Sequence, residues 1–158
     1  MKKNGLAFFI GSFFYAGLFP LAPGTFGSVV AFIIYVLFLR LLPPISYLSV
    51  CAFIFFAGVY FTGKAEKESG VKDPPSLVID EVSGYFITMT GAFGAPSSVF
   101  YSIAGLVLFR VFDILKPFPI KYVDRRVPGG WGIMLDDAAA AVFSAVLLRI
   151  FIVIFIGL

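Results

Sequence analysis

The chain contains no histidine. A histidine base, nucleophile or metal ligand is therefore excluded. There is one cysteine, Cys51, in "LSVCAFIFFAG". It has no partner for an internal disulfide and no basic neighbour in sequence to activate its thiol, and it reads as a small apolar lining residue. Position 57 is Ala57, so the Cys-x5-Arg phosphatase loop is missing, and no Asp-x-Asp-x-Thr nucleophile motif occurs. Charge is scarce too. Asp, Glu, Lys and Arg make up 13% of the residues, against about 25% in a soluble domain.

What fills the space is apolar. The 158 residues are 60% hydrophobic and 18% aromatic, with a mean hydropathy of +1.02. This composition predicts an all-α integral membrane protein, a compact bundle forming one domain over residues 1–158. The 16 glycines and 21 phenylalanines suit helices that pack closely in lipid. The net charge of +3 is small, and no nucleic-acid partner is expected. No repeat of fixed period is evident.

A spanning helix needs about 20 mostly apolar residues. Five spans are predicted, at about 25–42, 45–61, 77–93, 99–115 and 133–156. Residues 1–22 begin with Lys2-Lys3 and an apolar middle, as a signal peptide does, but "PGTFGS" follows at once and leads into another apolar run. This start is read as a retained interfacial or re-entrant helix. The polar loops "GKAEKESGVKDPPS" and "KPFPIKYVDRRVPGG" are separated by two spans and so share one side of the membrane. They carry Lys64, Lys67, Lys72, Lys116, Lys121, Arg125 and Arg126, which makes that side cytoplasmic by the positive-inside rule.

The stretch "GGWGIMLDDAAAAVF" opens the final span with two carboxylates, Asp136 and Asp137. A charge at the bilayer centre costs roughly 3 kcal/mol on insertion scales. Of the nine acidic residues, Glu66, Glu68 and Asp73 lie in the first polar loop. The other six, Asp80, Glu81, Asp113, Asp124, Asp136 and Asp137, fall at or near the cytoplasmic ends of the last three spans or in the loop between two of them. Clustered carboxylates at low dielectric must be neutralised. Arg110, Lys116, Lys121, Arg125 and Arg126 can do part of this, and oxygen ligands suit a hard cation such as Mg2+. In "FRVFDILKPFPI", Arg110 and Asp113 share a helix face, Lys116 lies three residues on, and Pro117 and Pro119 end the helix. Arg and Lys beside carboxylates at this boundary suit a phosphate. In "APGTFGS", Thr25 and Ser28 can cap a helix whose free N–H groups favour an anion.

Four segments, "PGTFGS", "DEVSG", "FRVFDILKPFPI" and "GGWGIMLDD", taken in this order from Pro23 to Asp137, resemble the phosphatidylglycerophosphatase A family. The resemblance implies a Mg2+-dependent phosphatase of the bacterial cytoplasmic (inner) membrane. It would hydrolyse phosphatidylglycerophosphate to phosphatidylglycerol and phosphate, with a multi-pass fold and a site facing the cytoplasm. By motif position it implies Asp80, Glu81, Asp113, Asp136 and Asp137 as catalytic acids. Asp80, Glu81, Asp136 and Asp137 would hold the ion. Arg110 and Lys116 would contact phosphate, joined by Thr25, Ser28 and Arg125. The alternative is a small cation-coupled transporter. Its acids would line a path through the midplane, whereas these crowd one side. A lipid-synthesising transferase would need an Asp-Gly…Asp…Asp spacing that is absent.

Overall fold

The structure, a computed structural model, describes residues 5–95, 98–118 and 120–156, without the side chains at 123–125 and 156. Seven α-helices make up the described chain: α1 (Leu6–Gly11), α2 (Pro23–Leu37), α3 (Pro44–Ser69), α4 (Ile79–Thr88), α5 (Val99–Leu115), α6 (Ile120–Arg126) and α7 (Gly129–Ile156). No strand occurs among the described residues. The all-α architecture is the one expected.

Local sequence sets the helix ends. Pro23 and Pro44 occupy the first positions of α2 and α3, where a missing N–H leaves nothing unsatisfied. Gly70 closes α3 at φ +68°, a conformation that suits glycine. Ser98 caps α5 by accepting from the Phe100 N–H at 3.2 Å.

Among the described residues, three helical stretches are long and apolar enough to cross a membrane: Pro23–Leu41, Pro44–Ser69 and Gly129–Phe155. α5, with 17 residues, is slightly short. The segment expected at 77–93 differs more. It folds as the ten-residue α4 followed by a 3-10 turn at Met89–Ala92. α4 rises only about 15 Å, half of the ~30 Å hydrocarbon core. Eight of its residues are buried, and it packs against α2, α3, α5 and α7. Irregular backbone at such depth is tolerated when protein surrounds it.

α1, with six residues, rises about 9 Å, too little to cross by itself. Ala7 and Phe8 pack on Ala65 of α3 and on Leu77. The Val78 N–H donates to the Gly11 carbonyl at 2.9 Å, so this segment braces the entry into α4. α3 and α7 cross closely at glycine. A Cβ on Gly130 would overlap the Val59 carbonyl oxygen, and one on Gly63 would stand 3.1 Å from the Gly130 nitrogen. Such small-residue crossings let two backbones meet in lipid.

Candidate active site

Two helices supply the central acids. Asp80 and Glu81 stand in the first turn of α4, where a carboxylate is favoured by the helix dipole. Asp136 and Asp137 lie two turns into α7. Gly84 brings these elements to one level. A Cβ there would be 2.5 Å from the Phe109 ring of α5 and 3.4 Å from the Asp137 carbonyl oxygen of α7.

Asp80, Glu81 and Asp137 converge. One carboxylate oxygen from each lies within 4.8 Å of the others. Asp80 is 7% exposed and Asp137 4%. Asp80 Oδ1, Glu81 Oε2 and Asp137 Oδ2 are all buried without a hydrogen-bond partner. Buried ions left so are costly unless paired or bound to metal. Three oxygen ligands with free lone pairs match what a hard divalent cation takes, so these residues fit a metal ion.

Asp136 stands beside this trio, close enough for its charge to act on Asp80 and Asp137. It forms an ion pair with Lys116. Adjacent helical residues point about 100° apart, so Asp136 and Asp137 serve different directions. Of the four residues expected at the metal, three bring one oxygen each within 4.8 Å of one another, and the fourth, beside them, also pairs with Lys116. That lysine caps α5 in the left-handed region at φ +39°, a conformation costing a non-glycine residue roughly 1–2 kcal/mol. The ion pair holds it there.

Arg110 is the hub on the other side. Its Nη1 lies 2.6 Å from Asp113 Oδ2, 3.5 Å from Ser28 Oγ and 4.0 Å from Glu81 Oε1. Its Nε is buried without a partner, a donor available to an incoming acceptor. Asp113 also lies beside Asp137. The cations and the acids are thus interleaved, with charge-assisted contacts at close range.

Of the phosphate contacts expected on α2, Ser28 is fully buried and meets Arg110, while Thr25 is exposed. The side chains of Asp124 and Arg125 lie outside the described residues. Two features escaped the sequence reading. Gly24 lies against the site: a Cβ there would overlap Glu81 Oε1 and stand 3.5 Å from Arg110 Nη1. Ser83, one turn beyond Asp80, is buried with an unpartnered hydroxyl. The i,i+3 spacing within "DEVSG" was the available signal for it. For Gly24, the second residue of α2, there was none.

The family model described as Phosphatidylglycerophosphatase A matches residues 9–152. A Haemophilus influenzae protein named phosphatidylglycerophosphatase A is 42% identical over 134 residues, 84% of this chain and 80% of its own. An Escherichia coli protein of the same name is 41% identical over 133 residues, 84% of this chain and 75% of its own. A Bacteroides thetaiotaomicron protein, whose name gives phosphatidylinositol-3-phosphatase as a suggested activity, is 36% identical over 153 residues, 94% and 95% of the two chains. No solved structure matches the chain.

Proposed function

Because the chain belongs to the phosphatidylglycerophosphatase A family, we propose that it hydrolyses phosphatidylglycerophosphate to phosphatidylglycerol and inorganic phosphate, with Mg2+ as cofactor. The observation that carries the reading is the buried trio Asp80, Glu81 and Asp137, with three unpartnered oxygens, set beside Arg110.

In this reading Asp80, Glu81 and Asp137 hold the ion. When bound, it supplies Lewis-acid polarisation of a phosphoryl oxygen. The chain's own residues do the rest. Arg110 grips the phosphate through its unpartnered Nε, with Asp113 fixing the guanidinium. Lys116, tethered by Asp136, adds a second positive charge. Asp113 orients the attacking water, beside Asp137. Water attacks phosphorus and the bond to the glycerol oxygen breaks; that oxygen takes the proton water gives up and leaves as the alcohol, and the hydroxyl stays on the released phosphate.

The loop lysines and arginines support a reading in which the acidic end faces the cytoplasm at a bacterial inner membrane. The substrate stays in the bilayer while its phosphate enters the site. The transporter alternative is disfavoured, because the acids gather at one end and α4 stops short of spanning.

The test is phosphate release by purified protein, from phosphatidylglycerophosphate and from phosphatidylinositol 3-phosphate, with Mg2+ and with excess EDTA. Release from the first lipid, lost in EDTA and restored by Mg2+, is expected. Undiminished release in EDTA overturns the metal reading. Preference for the inositol lipid overturns the substrate.

A further inference from the structure

The outer face of α5 carries a shallow groove of about 400 Å3, lined by Leu106, Val107, Arg110, Val111, Ile114 and Leu115. Five of the six are aliphatic. Val107, Val111 and Ile114 are 55%, 44% and 67% exposed. The sixth, Arg110, belongs to two surfaces at once. Its stem lines this groove, while its head reaches inward to Asp113, Ser28 and Glu81. The head's charge is answered inside the site by Asp113 and Glu81, so what the groove presents of Arg110 is its apolar stem.

We propose that this groove seats one acyl chain of the phospholipid substrate, and that Arg110 is the joint where its phosphate turns into the acidic site. This rests on the phosphatase reading above and deepens it. Two things select the occupant. The groove is continuous with the site through one residue, and its only charge is complementary to a phosphate. Arg110 reaches Asp113, one turn nearer the acidic end, so Leu106, Val107 and Val111 lie deeper than the guanidinium. From Leu106 to the level of Asp113 the helix rises about 10 Å, within the half-thickness of a ~30 Å hydrocarbon core. The groove therefore matches a chain from a single leaflet.

The N-terminal segment packs instead on α3 and the residues before α4.

Val107→Trp and Val111→Trp, made separately, fill the groove. Purified variants are assayed in mixed micelles on long-chain (dioleoyl) and short-chain (dibutyryl) phosphatidylglycerophosphate. The expected result is a rise in KM of roughly tenfold on the long-chain lipid, the contact of about two methylenes, with kcat nearly unchanged. The short-chain lipid shows no change. Val146→Trp, on the exposed face of α7, changes neither. Should a tryptophan prevent folding, Val107→Ser and Val111→Ser give the same split with a smaller amplitude. Equal effects on both lipids, no effect on either, or an effect matched by Val146→Trp overturns the inference. So does a change in oligomeric mass without a KM split, which assigns the face to a second copy of the chain. Wild-type protein inactive on both lipids overturns the phosphatase reading, and this inference with it.

Discussion

At one end of the bundle Tyr35, Tyr47, Tyr85 and Phe93 pack edge to face, with ring centroids 5.4 to 6.1 Å apart. Buried hydroxyls there are matched: Tyr47 donates to the Phe86 carbonyl at 2.6 Å and Tyr85 to the Ser102 carbonyl at 3.1 Å. At the other end Asp80, Glu81 and Asp137 crowd together with oxygens that meet no donor. Both ends are joined by the same helices. A protein fully satisfied at one end has no folding reason to leave buried carboxylates unsatisfied at the other. The first end holds the bundle together, and on the proposed reading the second is kept for what binds there.

This division can be broken by substitution. Asp137→Asn acts where binding is the purpose. Phosphate release should fall by about a thousandfold or more, a loss near 4 kcal/mol of transition-state stabilisation. The unfolding midpoint in detergent should hold or rise, because one charge leaves a repelling group. A large drop in the midpoint would mean the acids are structural. Gly24→Ala is next. Its methyl overlaps Glu81 Oε1 and displaces a carboxylate without removing it. Turnover should fall roughly ten- to a hundredfold, about 1.4–2.7 kcal/mol, with stability nearly intact. Unchanged turnover would detach Glu81 from the chemistry.

Tyr47→Phe probes the opposite end. It removes one buried hydrogen bond and should cost about 1 kcal/mol of stability, read from denaturation in detergent. Turnover per folded molecule should stay the same, and a drop would show the two ends to be coupled. The finest comparison is Lys116→Gly against Lys116→Ala. Both lose the ion pair with Asp136 and should lose activity alike. Glycine is at ease at φ +39° and alanine is not, so the glycine variant should be more stable by about 1 kcal/mol. Equal stability would remove backbone strain from the account of this cap.

Much of this site was legible because membrane helices make charge conspicuous. Asp80, Glu81, Asp113, Asp136 and Asp137 stand out against an apolar background, and their placement at one end followed from counting spans. The helical class followed from composition. What could not be read is direction. Neighbouring Asp136 and Asp137 look equivalent in a string of letters, and only the rotation of α7 sets Asp137 within the trio and Asp136 against Lys116. The shortness of α4 was hidden as well. Residues 77–93 are apolar enough for a span, and they are apolar because neighbours bury them rather than because lipid surrounds them. Gly24 matters through the atom it lacks, and only a neighbour's position can reveal that.

The site draws its acids from α4 and α7, which are far apart in the chain. Asp137 follows Asp80 by 57 residues (137 − 80). At about 5–20 residues per second, the third acid is made roughly 3–11 s after the first. Throughout that interval the newborn protein holds Asp80 and Glu81 without the third oxygen of their group. Lys116, however, lies between them in the order of synthesis. It is in place before Asp136 emerges and can receive that charge as α7 enters. Assembly of the site thus has a sequence in time: a half-formed pair waits, a cation is set beside it, and the arrival of α7 completes the group and pins it by the crossing of Gly130 on Gly63.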